Sequence, residues 1–263
     1  GYNIAKALTL LGDEVVFHSL IGQDLAAKQV RCSLAGNGID DSQVLNAMAA
    51  TAQSVIIYNR QGKRMIFTDL KDIQDQTYPV ERFDEALAHS SIAVLCNINY
   101  NRPLLARARE AGVPIATDVH TIADINDEYN IDFMAAADIL FMSDEELPCS
   151  PEEYARRLQD RYGTAVIVIG LGGKGALLAV REDNFMERVP AVKTRPIVNT
   201  IGAGDALFSS FIHTYNGSGD PYKAIRKAVV FASYKIGTAG AAEGFLNAQE
   251  LDALAASIEK GRF

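Results

Sequence analysis

The sequence predicts an α/β fold, a doubly wound and mostly parallel sheet flanked by helices, and three features of the chain predict it. Short apolar runs of strand length recur at Ile92–Cys96, Pro114–Asp118, Asp138–Met142 and Ala165–Ile169. Amphipathic stretches of helical spacing separate them, and several of those begin on an N-cap residue followed by proline or glutamate. Strands that alternate with helices build a sheet whose two faces are both covered, which is why each strand reads as a continuous apolar run.

Taken in order, Asn3–Leu11 has apolar residues at helical spacing and stops at Gly12, and Glu14–Leu20 reads as a strand. Ser54–Tyr58 and Met65–Thr68 are two strand-like runs joined by Asn59–Arg64, whose polar residues and Gly62 suit a hairpin. After the strand Ile92–Cys96, Asn101 is a candidate N-cap, Pro103 lies in the first turn, and Gly112 ends the helix. Ser150-Pro151-Glu152-Glu153 starts a helix that runs to Tyr162. The strands Ala165–Ile169 and Ala176–Val180 follow, and two more capped helices start at Asp220-Pro221 and at Asn247 with Glu250. No internal repeat or low-complexity linker interrupts the 263 residues.

Composition excludes several classes. Apolar residues make up 48 % and charged residues 22 %, as in a well-cored globular chain. A net charge of −8 argues against binding a nucleic-acid backbone, which needs clustered basic side chains. The apolar runs are too short to cross a bilayer and no signal segment opens the chain, so a cytoplasmic protein without a membrane partner is expected. Cys32, Cys96 and Cys149 match neither a disulfide framework nor a CxxC metal site, and His18, His89 and His213 have no metal-like spacing.

The chemistry concentrates in Asn199-Thr200-Ile201-Gly202-Ala203-Gly204-Asp205-Ala206-Leu207-Phe208. Glycines let successive amides approach one phosphate, and a helix N-terminus adds unpaired N–H groups and a positive partial charge. A carboxylate there repels phosphate unless it accepts the proton of an attacking hydroxyl. The plainer alternative is a glycine-rich turn with Asp205 as an N-terminal cap.

This string resembles the C-terminal signature of ribokinase-like (PfkB) kinases, with Thr200, Gly202, Ala203, Gly204, Asp205 and Phe208 matching. The resemblance implies an anion hole from the amides of Gly202, Ala203, Gly204 and Asp205, a general base at Asp205, and ATP with Mg2+ as cofactors. Asn199 stands where the family commonly has an aspartate that contributes to a monovalent-cation site, which argues against potassium activation. Other segments fall in family order. Gly1–Ala5 with Leu11-Gly12 is similar to the end of the N-terminal signature, with Asn3 a substrate contact or a helix-start cap, and Ile21–Asp24 resembles the following Gly-x-Asp turn. Phe141–Glu146 resembles the Asn-x-x-Glu motif: Glu146 is the metal-supporting glutamate, acting through water, and Ser143 replaces the asparagine on the nucleotide side. The family's first strand, with its substrate-binding aspartate, and its glycine pair are not found in 1–263, which reads as one kinase domain without that strand.

Gly170-Leu171-Gly172-Gly173-Lys174-Gly175 matches GxGxxG, but the apolar strand pattern of Ala176–Val180 replaces the helix that a dinucleotide site requires. The resemblance assigns Gly170, Gly172 and Gly173 to the ATP side, together with Thr200 and the small-residue loop at Gly240; a tight β-turn is the alternative. No GxxxxGK[ST] occurs, which excludes a P-loop kinase. Asn97, Asn99 and Tyr100, and Asp118 with His120, are candidate substrate contacts. The hairpin at 54–68 sits where relatives carry a β lid that also forms homodimers. The expected activity is γ-phosphoryl transfer from ATP to a hydroxyl of a sugar or sugar-like molecule. A nucleoside kinase of the same fold and a catalytically silent nucleotide- or sugar-binding relative are the alternatives.

Overall fold

The protein is seen here as a computed structural model that describes residues 1–58 and 64–261. Its centre is a six-stranded sheet in the order β10-β9-β8-β7-β6-β5, formed by β5 (Ala93–Val94), β6 (Ile115–Thr121), β7 (Ile139–Ser143), β8 (Val166–Gly170), β9 (Ala176–Val180) and β10 (Phe185–Val189). The pairs from β5 to β8 are parallel, and β8-β9 and β9-β10 are antiparallel.

Both faces of this sheet are dry, and the period of two along each strand divides its residues between them. Leu140, Met142, Ile167, Ile169, Leu177 and Ala179 pack on one face beneath α4 (Arg102–Glu110), α5 (Ile131–Ala136) and α6 (Pro151–Tyr162), meeting Leu104, Phe133 and Leu158. Their neighbours Ile139, Phe141, Val166, Val168, Ala176 and Leu178 pack on the other, against α1 (Tyr2–Leu11), α7 (Ala203–Ser218) and α8 (Pro221–Lys235). Phe141 meets Phe208 and Phe211 edge-on at 4.9 and 5.3 Å between ring centres, and these contacts fix α7 on the sheet.

Local helix signals translate directly. Gly12 ends α1 in the left-handed region at φ 96°. Ser150 accepts from Glu153 N, Asp220 from Tyr222 N and Lys223 N, and Asn247 forms a reciprocal capping box with Glu250 ahead of α9 (Ala248–Glu259). The box at Ser150 is only half made, because the Glu153 carboxylate turns to Arg157. Asn101 holds the N-cap position of α4 but makes no side-chain cap bond; its side-chain amide instead donates to Cys96 O at 2.8 Å and ties α4 to the chain after β5.

The strand expected over Glu14–Leu20 shrinks to β1 (Ser19–Ile21), which pairs in parallel with β2 (Val44–Asn46), and Ile92–Cys96 shrinks to β5. Residues form a strand only where a neighbour supplies backbone partners, and β1 and β5 instead flank a cavity of about 1480 Å3. His18 lines it with both ring nitrogens buried and unpartnered, and burial, with Arg82 second, lowers its pKa to about 4.

A separate hairpin joins β3 (Gln53–Tyr58) to β4 (Arg64–Asp69); the proposed turn at 59–63 lies outside the described residues. Its base is anchored by the Gly22-Gln23-Asp24 turn. The Asp24 carboxylate accepts from Thr51 N and Thr51 Oγ1 and from Ala27 N, which hold its pKa down at about 2. A Cβ on Gly22 would lie 2.5 Å from Thr51 N, so only glycine lets the chain pass this close.

Candidate active site

The carboxyl end of β6 meets the first turn of α7 at a small cavity, and β7 and β8 end alongside β6 in the sheet, the edge at which open α/β sheets bind ligands. Gly202 is the N-cap residue at φ +75°, and a Cβ there would lie 2.3 Å from Ala241 O. The loop is closed from behind by Ala203 N donating to Thr200 O at 3.1 Å and Ala206 N to Gly202 O at 3.0 Å. Asn199 bridges it, accepting from Ile201 N and donating to Ala239 O, both at 3.0 Å. A Cβ added to Gly204 would meet nothing within 4 Å, which leaves room beside a helix N-terminus, where an anion is favoured.

Asp205 lies in the first turn and caps nothing. Its Oδ2 accepts from Asn3 Nδ2 at 2.7 Å, a bond between the starts of α1 and α7 that spans 202 positions of sequence. Asn3 is accordingly no helix cap either, since α1 begins from Gly1. A small cavity of about 80 Å3 opens beside Asp205, lined also by Cys96, Thr117, Asp118 and His120. Burial raises the Asp118 carboxyl above the usual range; His120 pulls it back, and the Asp205 carboxylate adds to the rise. His120 sits in the left-handed region at φ 61°, with its amide on Asp118 Oδ1 at 2.8 Å. Asp118 and His120, candidate substrate contacts in the sequence, therefore lie beside Asp205.

Ser143 ends β7 with its hydroxyl accepting from Glu145 N at 3.4 Å, and Glu146 is exposed in the next turn, with no hydrogen bond or ion pair among the described residues. Gly170 ends β8, and Gly172 and Gly173 sit in a 3-10 turn where an added Cβ would meet nothing within 4 Å. The glycine this turn needs is Gly175, at φ 104°, whose Cβ would strike Val189 O at 2.0 Å. The chain then returns antiparallel as β9, so no helix follows the GxGxxG string and the dinucleotide reading is excluded. The amide of Gly240 is taken by Glu243 Oε2 at 3.1 Å.

Asn97 and Asn99 stand apart. Asn97 Nδ2 donates to Asn130 Oδ1 at 2.9 Å, and Asn99 donates its backbone amide to Gln74 Oε1 and its Nδ2 to Gln74 O and accepts from Arg102. Neither lines the cavity at Asp205. One residue went unnoticed in sequence: Lys235, wholly buried, whose ammonium donates to Ile201 O immediately before Gly202. Its only trace is a lysine four positions after Phe231 on the apolar stripe of α8.

Comparison with known proteins agrees with this geometry. The profile described as pfkB family carbohydrate kinase matches residues 1–248. The acarbose 7(IV)-phosphotransferase of Actinoplanes is 24 % identical over 237 residues, covering 89 % of this chain and 78 % of that protein. The deoxyribokinase of Salmonella typhi is 26 % identical over 249 residues, covering 90 % and 80 %. Among solved structures, a microbiome-derived acarbose kinase superposes with a TM-score of 0.88 at 25 % identity, covering 97 % of this chain and 86 % of that one. A ribokinase from Thermotoga maritima shares the fold at a TM-score of 0.80 and 19 % identity, with 97 % and 86 % covered. The fold is that of the ribokinases, and the chain belongs to the pfkB family of carbohydrate kinases, enzymes that move a phosphoryl group from ATP to a hydroxyl of a sugar or sugar-like small molecule.

Proposed function

We propose that Asp205 takes the proton of the acceptor hydroxyl while the amides of Gly202, Gly204 and Asp205 stabilise the charge on the transferring group; the Ala203 amide, also expected there, is engaged on Thr200 O. The observation that carries this reading is a carboxylate in the first turn of a helix whose glycine-built start faces open space, held by Asn3 at 2.7 Å. That bond aims one carboxylate oxygen and leaves the other for a substrate hydroxyl, and Asn3 itself is within reach of the same substrate. Such transition states are loose, so aiming and charge stabilisation contribute more than base strength.

The nucleotide lies along Ser143, Gly170, Gly172, Gly173, Thr200 and Gly240, which rim the carboxyl ends of the parallel strands and the start of α7. ATP supplies the phosphoryl group, and Mg2+ neutralises its β and γ oxygens when bound. Among the described residues no group of three or more His, Cys, Asp or Glu forms a metal cage, which fits an ion carried by phosphates and water. Glu146, exposed and without a protein partner among the described residues, is the carboxylate placed to order that water shell. Asn97 and Asn99 reach substrate only through the outer end of the acceptor, their side chains being engaged in the protein. The whole of 1–263 acts as one kinase domain.

Acceptor identity is tested by ADP release with ATP and magnesium against ribose, deoxyribose, fructose, keto-deoxy sugar acids, sugar phosphates, acarbose and ribonucleosides. Release that depends on one acceptor is expected; a nucleoside as sole acceptor would make the protein a nucleoside kinase. Measurable nucleotide binding with no acceptor-dependent release would leave the silent-relative reading in its place.

The hairpin is the lid and the contact of a homodimer. An isolated two-stranded hairpin is marginal in water, yet the register puts Val55, Ile57, Met65 and Phe67 together on one face, at 60, 48, 57 and 57 % exposure. Phe67→Asp is expected to shift the protein from dimer to monomer in sedimentation. A variant as dimeric as the parent would remove this assignment.

A further inference from the structure

Lys235 closes α8 and is 0 % exposed, and among the described residues its ammonium makes one hydrogen bond, to the carbonyl of Ile201. Its Cε lies 3.3 Å from where a Gly202 Cβ would be, directly behind the loop. No carboxylate comes within ion-pairing distance among the described residues. A buried ammonium without a counter-ion is costly, and a structural lysine at a helix end would reach solvent instead. The charged groups that act on it are the carboxylates of Asp205 and Glu243, which favour its charged form, and the Arg195 guanidinium, which opposes it; burial is the largest influence and lowers its pKa. The missing negative charge is the one a phosphate brings to the other side of the loop.

We propose that Lys235 is a positioning residue whose ammonium serves as a built-in cation behind the Gly202–Asp205 amides, in the role a dissociable monovalent cation would otherwise fill. Two effects follow from its place. A positive charge in a dry site strengthens the attraction of the loop for a phosphoryl group that gains charge in the transition state. The bond to Ile201 O also polarises the Ile201–Gly202 peptide, making the Gly202 N–H a better donor. The neutral Asn199 is consistent with this arrangement: it pins Ile201 and Ala239 by hydrogen bonds and adds no negative charge for a free cation to balance.

The inference rests on the kinase reading and is tested separately from it. Turnover of the unaltered protein is expected to stay within about two-fold when potassium is replaced by sodium or tetramethylammonium at equal ionic strength. Lys235→Met is expected to lower kcat roughly ten- to hundred-fold, with the KM for the acceptor changed less than about three-fold. Lys235→Ala should regain part of its rate with added ammonium or potassium but not with tetramethylammonium, a rescue that a merely structural role would not give. Thermal denaturation shows whether each variant folds; should both fail, the salt comparison on the unaltered protein decides. An active protein that needs potassium, or a folded Lys235→Met with full turnover, overturns the inference. Silence of the unaltered protein with every acceptor overturns the kinase reading beneath it.

Discussion

Asp205→Asn lowers kcat by roughly 10²- to 10⁴-fold while nucleotide affinity stays within about three-fold of the parent. The substitution keeps the size of the side chain and an oxygen for the 2.7 Å bond from Asn3, so the junction of α1 with α7 survives and only the proton acceptor is lost. Steady-state kinetics give the first number and calorimetry with ADP the second. A fall in affinity that matches the fall in kcat would mean that Asp205 shapes the phosphate loop rather than taking the proton. Unchanged turnover would remove it from the chemistry.

Gly202→Ala is the second large effect, and it acts through the backbone. At φ +75° an alanine costs about 1–2 kcal/mol, and its Cβ would stand 2.3 Å from Ala241 O, a backbone atom that cannot turn aside. The loop must shift, and the amides proposed to hold the transferring group shift with it. A lower melting temperature and a loss of about 10²-fold or more in kcat are expected. Gly204→Ala supplies the contrast: its φ is ordinary and its Cβ would meet nothing within 4 Å, so the melting temperature holds while activity drops because the open space belongs to the ligand. Equal behaviour of the two variants in melting and activity would contradict this division of roles.

What was legible in the sequence is what local chemistry decides. Ser150, Asp220 and Asn247 cap helices because a side-chain oxygen two or three residues from an unpaired amide needs nothing distant. The apolar runs from Ile115 to Val180 became strands because both of their faces are buried. The order of the glycine-rich loops along the chain likewise carried the family resemblance. Features that depend on distant partners were not readable. Residues 14–18 have strand-like composition but no strand beside them among the described residues, and the Asn101 side chain, at the helix start, had a carbonyl within reach that suited it better than the first amides of α4. The bond from Asn3 to Asp205 joins residues 202 apart, and the pattern around each alone left a helix cap as its alternative to a substrate contact at Asn3 and a base at Asp205. Lys235 resembles an ordinary basic residue in a last helical turn until the fold buries it against Ile201.

The central claim is transfer of a phosphoryl group to an acceptor hydroxyl, and phosphorus NMR of the protein with ATP, magnesium and the acceptor that stimulates ADP release tests it most directly. The account predicts a new phosphate-ester resonance that grows in step with ADP and disappears with Asp205→Asn. Inorganic phosphate appearing in place of the ester, or an ester formed equally well by the variant, would contradict it.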